Sequence, residues 1–200
     1  MFKNISETIV NHACTKGIIK HEDREENVYG LNTFLTIIVN VISALIIGFI
    51  FQMLIEIVLF IIVYKSLRKY IGGSHAKNAR RCYISSCIIY AVVLVCIKYY
   101  SVPSSLTTVL TCSSMMILWI AAPIEAPKKP LDEVEYKVFK HRSHISIVVC
   151  LCIFLILHYI PGQYTYYYSN VTAVSIYAVT LFAIIGKIQL SHLKKSPARH

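Results

Sequence analysis

The stretch TFLTIIVNVISALIIGFIFQMLIEIVLFIIVY, residues 33–64, contains a single charged side chain, Glu56. An α-helix needs about 20 apolar residues to cross the hydrocarbon core of a bilayer. The stretch is therefore longer than one span requires. It forms either one extended helix or two short helices that turn back near its centre, and the orientation of the rest of the chain decides between them.

The composition outside this stretch is also that of an integral membrane protein. Of the 200 residues, 56% are hydrophobic and only 15% are charged, whereas about 25% of residues are charged in soluble domains. We predict an all-α polytopic membrane protein with about six transmembrane or membrane-embedded helices. The predicted spans are residues 33–51, 52–64, 83–99, 104–121, 145–160 and 166–187. Several are short, so they must extend into flanking aromatic residues or lie where the membrane thins.

Lysine and arginine are concentrated in three segments, residues 65–81, 122–144 and 187–199. The other connections, residues 100–104 and 161–170, carry tyrosines but no lysine or arginine. Because cytoplasmic loops are enriched in these cations, we expect the three basic segments and both chain ends on the cytoplasmic side of the cell membrane. Lys98 is the exception, and its side chain can extend outward from a helix end. Residues 33–64 must then cross twice, which favours a tight hairpin near residues 48–52.

Residues 1–32 form a separate amino-terminal segment before the apolar stretch. Four apolar residues recur in it at helical spacing: Phe2, Ile5, Ile9 and Ala13. This pattern predicts a short amphipathic helix on the membrane surface, with a frayed tail as the alternative. No signal peptide is visible, so we expect a cytoplasmic amino terminus. The remaining chain divides into a single membrane domain, residues 33–190, and a cytoplasmic tail, residues 191–200.

Neither the cysteines nor the histidines predict a metal or cofactor site. The seven cysteines are an odd number without a CxxC pair, which argues against a disulfide framework or a zinc cluster. His141 and His144 have the spacing of one helical face but lack a third ligand. We expect Glu56, the only acid in a predicted span, to face the bundle interior or water rather than to mark a transport path.

The best candidate for a catalytic site is the segment of residues 65–82, a basic loop between two predicted spans. Gly72 and Gly73 interrupt the first helix, and Cys82 lies at the start of the next. A helix start and neighbouring cations both favour thiolate, which makes Cys82 the best nucleophile candidate. His75 precedes it by seven residues, roughly 10 Å along an unbroken helix, so a catalytic pair requires a bend. A solvated basic loop without chemistry is the alternative.

Two motifs in the chain resemble those of a known family. They are GGSHAKNARRCYISS, residues 72–86, and AAPIEAPKKPL, residues 121–131. With the length, the basic charge and the number of spans, they resemble the accessory gene regulator protein B (AgrB) family of Gram-positive quorum-sensing systems. The resemblance covers essentially the whole chain, and the His-x6-Cys signature is fairly specific in a protein of this size and hydropathy.

The resemblance implies a membrane-embedded cysteine endopeptidase in which His75 is the general base and Cys82 the nucleophile. Such an enzyme cleaves the carboxyl-terminal tail from a small propeptide and holds the remainder as a thioester on Cys82. An internal side chain of the propeptide then attacks the thioester and closes a thiolactone or lactone ring. No cofactor is implied. Ser85, Ser86 and backbone N–H groups at the helix start are all candidates for stabilising the oxyanion.

The implied partner is a short amphipathic propeptide with an acidic carboxyl-terminal tail, bound at the surface of the membrane lipid. A net charge of +10 suits an acidic partner. The predicted substrate contacts are Arg80, Arg81, Lys128 and Lys129. Ordinary positive-inside charge is the alternative explanation for these cations. No nucleic acid partner is expected, and a homodimer is compatible with the sequence. The alternative functions are a small peptide transporter and a non-catalytic membrane scaffold.

Overall fold

The computed structural model describes residues 2–72, 79–99, 102–124 and 132–195, with side chains except at 79–81 and 192–195. In these ranges the chain forms seven α-helices and no β-strand. The helices are α1 (Lys3–Thr15), α2 (Arg24–Ile50), α3 (Leu54–Ile71), α4 (Ala79–Tyr99), α5 (Ser104–Ala121), α6 (Glu133–Tyr159) and α7 (Gln163–Lys195).

Five of these helices are long and apolar enough to cross a membrane, namely α2, α4, α5, α6 and α7. The sixth bundle helix, α3, packs against α2, α6 and α7. Its 18 residues include four charged side chains, Glu56, Lys65, Arg68 and Lys69. The prediction of an all-α polytopic membrane protein is confirmed. Five helices are candidate spans, and the more highly charged α3 packs between them as a sixth helix.

Helical structure extends into the charged flanks of the predicted spans, and only α5 has the predicted bounds. α2 begins at Arg24 and α6 at Glu133, and both first turns carry two glutamates, which interact favourably with the helix dipole. The predicted loop 65–82 is also shorter than expected, because α3 continues to Ile71 and α4 includes residues 79–82. Lysine and arginine are good helix formers, so the cations that mark a loop in the sequence do not end a helix.

A tight hairpin joins α2 to α3, as the charge distribution predicts. The N–H of Met53 donates to the carbonyl oxygen of Gly48 at 2.8 Å, and Gln52 adopts a left-handed conformation with φ of 57°. Gly48 permits the close approach of the two helices, because a Cβ atom there would lie 2.5 Å from Cγ2 of Ile57. The long apolar stretch is therefore two helices.

The central helix of the bundle is α7, which contacts α3, α4, α5 and α6. In its most apolar window 50% of the residues are buried, compared with 11% in α2. Small side chains such as Ala173 and Ala183 are buried along α7, and small residues let membrane helices approach closely. Leu67 of α3 and Phe154 of α6 belong to the same apolar cluster. α2 in contrast lies at the periphery.

Glu56 lies at the interior side of α3. Its carboxylate accepts a hydrogen bond of 3.0 Å from the hydroxyl of Tyr167 in α7, and its side chain is half-buried. This acid therefore joins two helices near the hairpin, in agreement with the expectation that it faces the bundle interior.

The amino-terminal segment contains the predicted helix, but a different face of it packs against the bundle. Ser6, Val10 and Cys14 are the buried residues of α1, which packs on α2. Ile5 and Ile9 remain about half exposed. The apolar face noted in the sequence is thus left outward, and its contact with the membrane surface stays a prediction.

Candidate functional site

The thiol of Cys82 is exposed in the first turn of α4. Backbone N–H groups in a first turn lack intrahelical acceptors and form the positive end of the helix dipole. Ser86 donates its hydroxyl proton to the Cys82 carbonyl oxygen at 3.0 Å, so it satisfies its own helix backbone. Of the candidate oxyanion donors, the backbone N–H groups and the exposed Ser85 remain.

Several predicted site residues lie outside the part of the chain that the structure describes. They are Gly73, His75, Lys128 and Lys129. Arg80 and Arg81 belong to the first turn of α4, which is described there by its backbone. The pairing of His75 with Cys82 and the four substrate contacts therefore stay predictions.

The two motifs, residues 72–86 and 121–131, are in contact in the structure where the first one begins. The N–H of Ile124 donates to the carbonyl oxygen of Ile71 at 2.8 Å, and Gly72 forms a parallel β-bridge with Ile124. Gly72 ends α3 with φ of 79° and ψ of −148°, a conformation that essentially only glycine adopts. A Cβ atom at this position would collide with the carbonyl oxygen of Ile124. Gly72 therefore ends α3 in a conformation that suits glycine, and it contacts Ile124 just beyond the end of α5.

Arg68 of α3 lies beside two aromatic rings. Its guanidinium carbon lies 5.6 Å from the ring centroid of Tyr64 and 5.2 Å from that of Phe182, within cation–π range. Tyr64 is close enough to both Arg68 and Cys82 to interact electrostatically with each. In the sequence, Arg68 is only one of several cations in the predicted loop 65–82. The i, i+4 spacing from Tyr64 was available as a signal, but the contact with Phe182 of α7 was not.

A second group of aromatic and cationic side chains joins α3 to α6. The ring of Tyr70 meets Phe139 edge-on, with centroids 6.2 Å apart, and the Arg142 guanidinium lies 5.9 Å from the Tyr70 centroid. Ser146 donates to the carbonyl oxygen of Ser66 at 3.0 Å. The basic residues of α3 and α6 therefore lie at the same end of the bundle, which we call the Cys82 end.

The described histidines and cysteines form no metal site at this end. Among the described residues there is no group of three or more His, Cys, Asp or Glu side chains arranged to hold a metal ion. His144 instead stacks on Trp119 with ring centroids 3.8 Å apart. All seven cysteines are free, and Cys82 alone combines exposure with a position in a first helical turn.

A family model for accessory gene regulator B matches residues 2–187. The chain belongs to the accessory gene regulator B family. It is 24% identical over 155 residues to putative AgrB-like protein 2 of Clostridium perfringens (strain 13 / Type A), which covers 74% of this chain and 72% of that protein. It is 25% identical over 118 residues to accessory gene regulator protein B of Staphylococcus aureus (strain MRSA252), covering 59% of this chain and 60% of that protein. No solved structure matches the chain.

The family match confirms the resemblance seen in the two motifs. As a member of the accessory gene regulator B family, this membrane protein has a role in the accessory gene regulator quorum-sensing system, and this role is consistent with a processing enzyme. At about 25% identity, roles of individual residues follow from motif position and local geometry rather than from overall similarity.

Proposed function

We propose that this chain is a membrane-embedded cysteine endopeptidase that removes the carboxyl-terminal tail of a small quorum-sensing propeptide and closes the remainder into a thiolactone or lactone ring. The observation that carries the proposal is the exposed thiol of Cys82 in the first turn of α4. At a helix start, both the dipole and N–H groups without intrahelical acceptors stabilise negative charge.

The proposed reaction has two acyl transfers. His75 accepts the thiol proton, the sulfur of Cys82 attacks the propeptide carbonyl, and the C–N bond breaks as the tail leaves with a protonated amine. The acyl group then remains on Cys82 as a thioester. A cysteine or serine of the propeptide attacks that thioester, the Cys82 thiol is released, and the ring closes. Because one activated acyl bond replaces another, no ATP is required, provided that water is excluded at the membrane edge.

The bridge between Ile71–Gly72 and Ile124 supports a shared site for the two motifs. His75 is three residues from Gly72, and Lys128 is four residues from Ile124. Chain connectivity alone limits their Cα atoms to about 11 Å and 14 Å from these anchors. The two segments therefore start from one hydrogen-bonded point, which is compatible with a shared site.

The charge at the Cys82 end supports an acidic substrate tail. Arg68 and Arg142 are held by aromatic rings there, and the proposed contacts Arg80, Arg81, Lys128 and Lys129 add to them. We place this end and both chain termini on the cytoplasmic side, from the positive-inside rule. The partners are then the propeptide and the surrounding lipid, and a second copy of the chain is compatible with the arrangement.

Single substitutions test the proposal directly. The chain is co-expressed with a short amphipathic propeptide that has an acidic carboxyl-terminal tail and a tag at its carboxyl end. Release of the tag is followed by immunoblot. Cys82→Ala and His75→Ala should abolish release while membrane insertion is unchanged. Cys152→Ala and His141→Ala are matched controls, because both residues are exposed on α6, and they should cleave normally. Continued cleavage by Cys82→Ala would refute the mechanism.

Alkylation of Cys82 separates the peptidase from a transporter. In a variant that keeps Cys82 as its only cysteine, a membrane-impermeant maleimide should label inverted vesicles but not intact cells, and it should stop cleavage. A transporter that does not use this thiol would keep moving peptide after labelling. Labelling of intact cells would contradict the cytoplasmic placement of the Cys82 end without bearing on the thiol chemistry.

A further inference from the structure

A buried histidine lies at the end of the bundle opposite Cys82, where α6 ends and α5 and α7 begin. His158 is 8% exposed, and its ring contacts hydroxyl groups from both neighbouring helices. Its Nε2 atom is 2.8 Å from Oγ of Ser104 and 3.0 Å from Oγ1 of Thr108, and its Nδ1 atom is 3.1 Å from Oγ of Ser169. Ser169 is fully buried, whereas Ser104 is exposed.

The hydrogen bonds of this cluster favour one tautomer of the imidazole. Ser169 donates its single proton to the Tyr166 carbonyl oxygen at 2.7 Å, so towards His158 its oxygen is the acceptor and Nδ1 carries the hydrogen. The Nε2 atom of the neutral ring is then an acceptor. Thr108 has another acceptor, the Ser104 carbonyl oxygen at 3.1 Å. The shorter contact therefore belongs to the Ser104 hydroxyl, which donates to Nε2.

We propose that Ser104 and His158 form a second acyl-transfer site, with Ser104 as nucleophile and His158 as general base. An accessible hydroxyl that donates to a buried imidazole, whose second nitrogen is oriented by another group, is the arrangement required for an activated serine. Ser169 is the positioning residue that holds the tautomer. Ser104 is the first residue of α5, so first-turn N–H groups without intrahelical acceptors lie beside it as oxyanion donors.

An apolar cleft whose lining includes residues near Ser104 in the chain favours the ester of a long acyl chain as the substrate class. The cleft, of about 380 Å³, lies between α4, α5 and α7. Its lining is mostly apolar and includes Val102 and Thr107, which flank Ser104 in the sequence, together with Val93 and Leu110. Such a lining favours a hydrocarbon chain over a polar peptide.

The reaction is ester hydrolysis through an acyl-serine. The Ser104 oxygen bonds to the ester carbonyl carbon while its proton passes to Nε2 of His158. The ester C–O bond breaks, and the alcohol leaves with that proton. Water then attacks the acyl-serine and gives a proton to His158, which returns it to the Ser104 oxygen as the carboxylic acid departs. This chemistry is independent of Cys82.

A fluorophosphonate probe tests the site in the purified, detergent-solubilised full chain, because it forms a stable bond only with an activated serine and releases fluoride. Mass spectrometry of the labelled protein should identify Ser104. Ser104→Ala should remove the label, and the neighbouring exposed Ser105→Ala, a matched control, should keep it. His158→Gln should slow labelling by about 10²- to 10⁴-fold. Ser169→Ala should also slow labelling, and Ser169→Thr, which retains the hydroxyl, should restore part of the rate.

The substrate class has its own measurement. In a Cys82→Ala background, which removes the other proposed nucleophile, hydrolysis of p-nitrophenyl palmitate should exceed that of p-nitrophenyl acetate, and adding Ser104→Ala should abolish palmitate hydrolysis. Absence of label on Ser104 in the unmodified protein would overturn the proposed site. This outcome does not depend on how any variant folds. Equal rates for the two esters would overturn the role of the cleft.

Discussion

Substitution of Gly72 by alanine tests whether the contact between α3 and the end of α5 is required for propeptide processing. Gly72 has φ of 79° and ψ of −148°, a region that side-chain-bearing residues adopt only under strain. Its added Cβ atom would also collide with the carbonyl oxygen of Ile124. The substituted chain must therefore change its backbone conformation at residue 72 and move away from Ile124.

The expected magnitude follows from two contributions. Holding alanine in this conformation costs about 1–3 kcal/mol. Moving Ile124 away breaks its 2.8 Å hydrogen bond to Ile71, which contributes about 0.5–1.5 kcal/mol. The bridged arrangement should thus lose roughly 1.5–4.5 kcal/mol. Since about 1.4 kcal/mol corresponds to a factor of ten in an equilibrium, its population relative to open forms falls by roughly one to three orders of magnitude.

Initial rates of tag release from the propeptide measure this effect in membranes that contain equal amounts of each variant. Gly72→Ala should lower the rate by one to three orders of magnitude, a range that follows from the same free energies. Gly30→Ala is the matched control, because it makes the same change at a helical glycine of α2 with no atom near its added Cβ. It should insert and cleave normally. A normal rate for Gly72→Ala would refute the claim that the bridge organises the site.

Three further predictions concern stability and are measured by thermal unfolding in detergent. Phe60→Ala should lower the free energy of unfolding by about 3–5 kcal/mol, because Phe60 is fully buried. Phe49→Ala is the control and should have little effect, because Phe49 is 72% exposed. Equal losses for the two variants would contradict the described core. Gln52→Gly should stabilise the hairpin by up to about 1 kcal/mol, because glycine relieves the left-handed strain; destabilisation would show that the Gln52 side chain matters more than its backbone. Tyr83→Phe should cost about 0.5–1.5 kcal/mol by removing the 2.7 Å hydrogen bond to Ser43, and the same change in a Ser43→Ala background should cost less. Additive losses would exclude that bond as the cause.

The parts of the fold that depend on hydropathy and charge were predictable from the sequence. The hairpin near Gly48 followed from the need to keep basic segments on one side of the membrane, and the bounds of α5 followed from an apolar run between a proline and a polar segment. The starts of α2 and α6 were not, because charged residues at a helix start are compatible with both helix and loop. Hydropathy locates the membrane but does not locate the ends of helices that project beyond it.

The candidate site was predictable only where its residues are close in the sequence. The position of Cys82 at a helix start followed from the glycines and cations before it. The bridge from Gly72 to Ile124 and the contact of Arg68 with Phe182 join segments far apart in the chain. A single sequence carries no direct signal for such pairs. The network around His158 was missed for the same reason.

The central position of α7 has a consequence for the biogenesis of the protein. Translation produces this helix after α3, α4, α5 and α6, yet all four pack against it. Helices insert into the membrane individually before they associate. The earlier helices therefore lie in the bilayer without their contacts to α7 until α7 has inserted. Arg68 acquires its Phe182 contact only at that stage. A truncated product lacking α7 would therefore reach quality control as a loose set of helices without this contact.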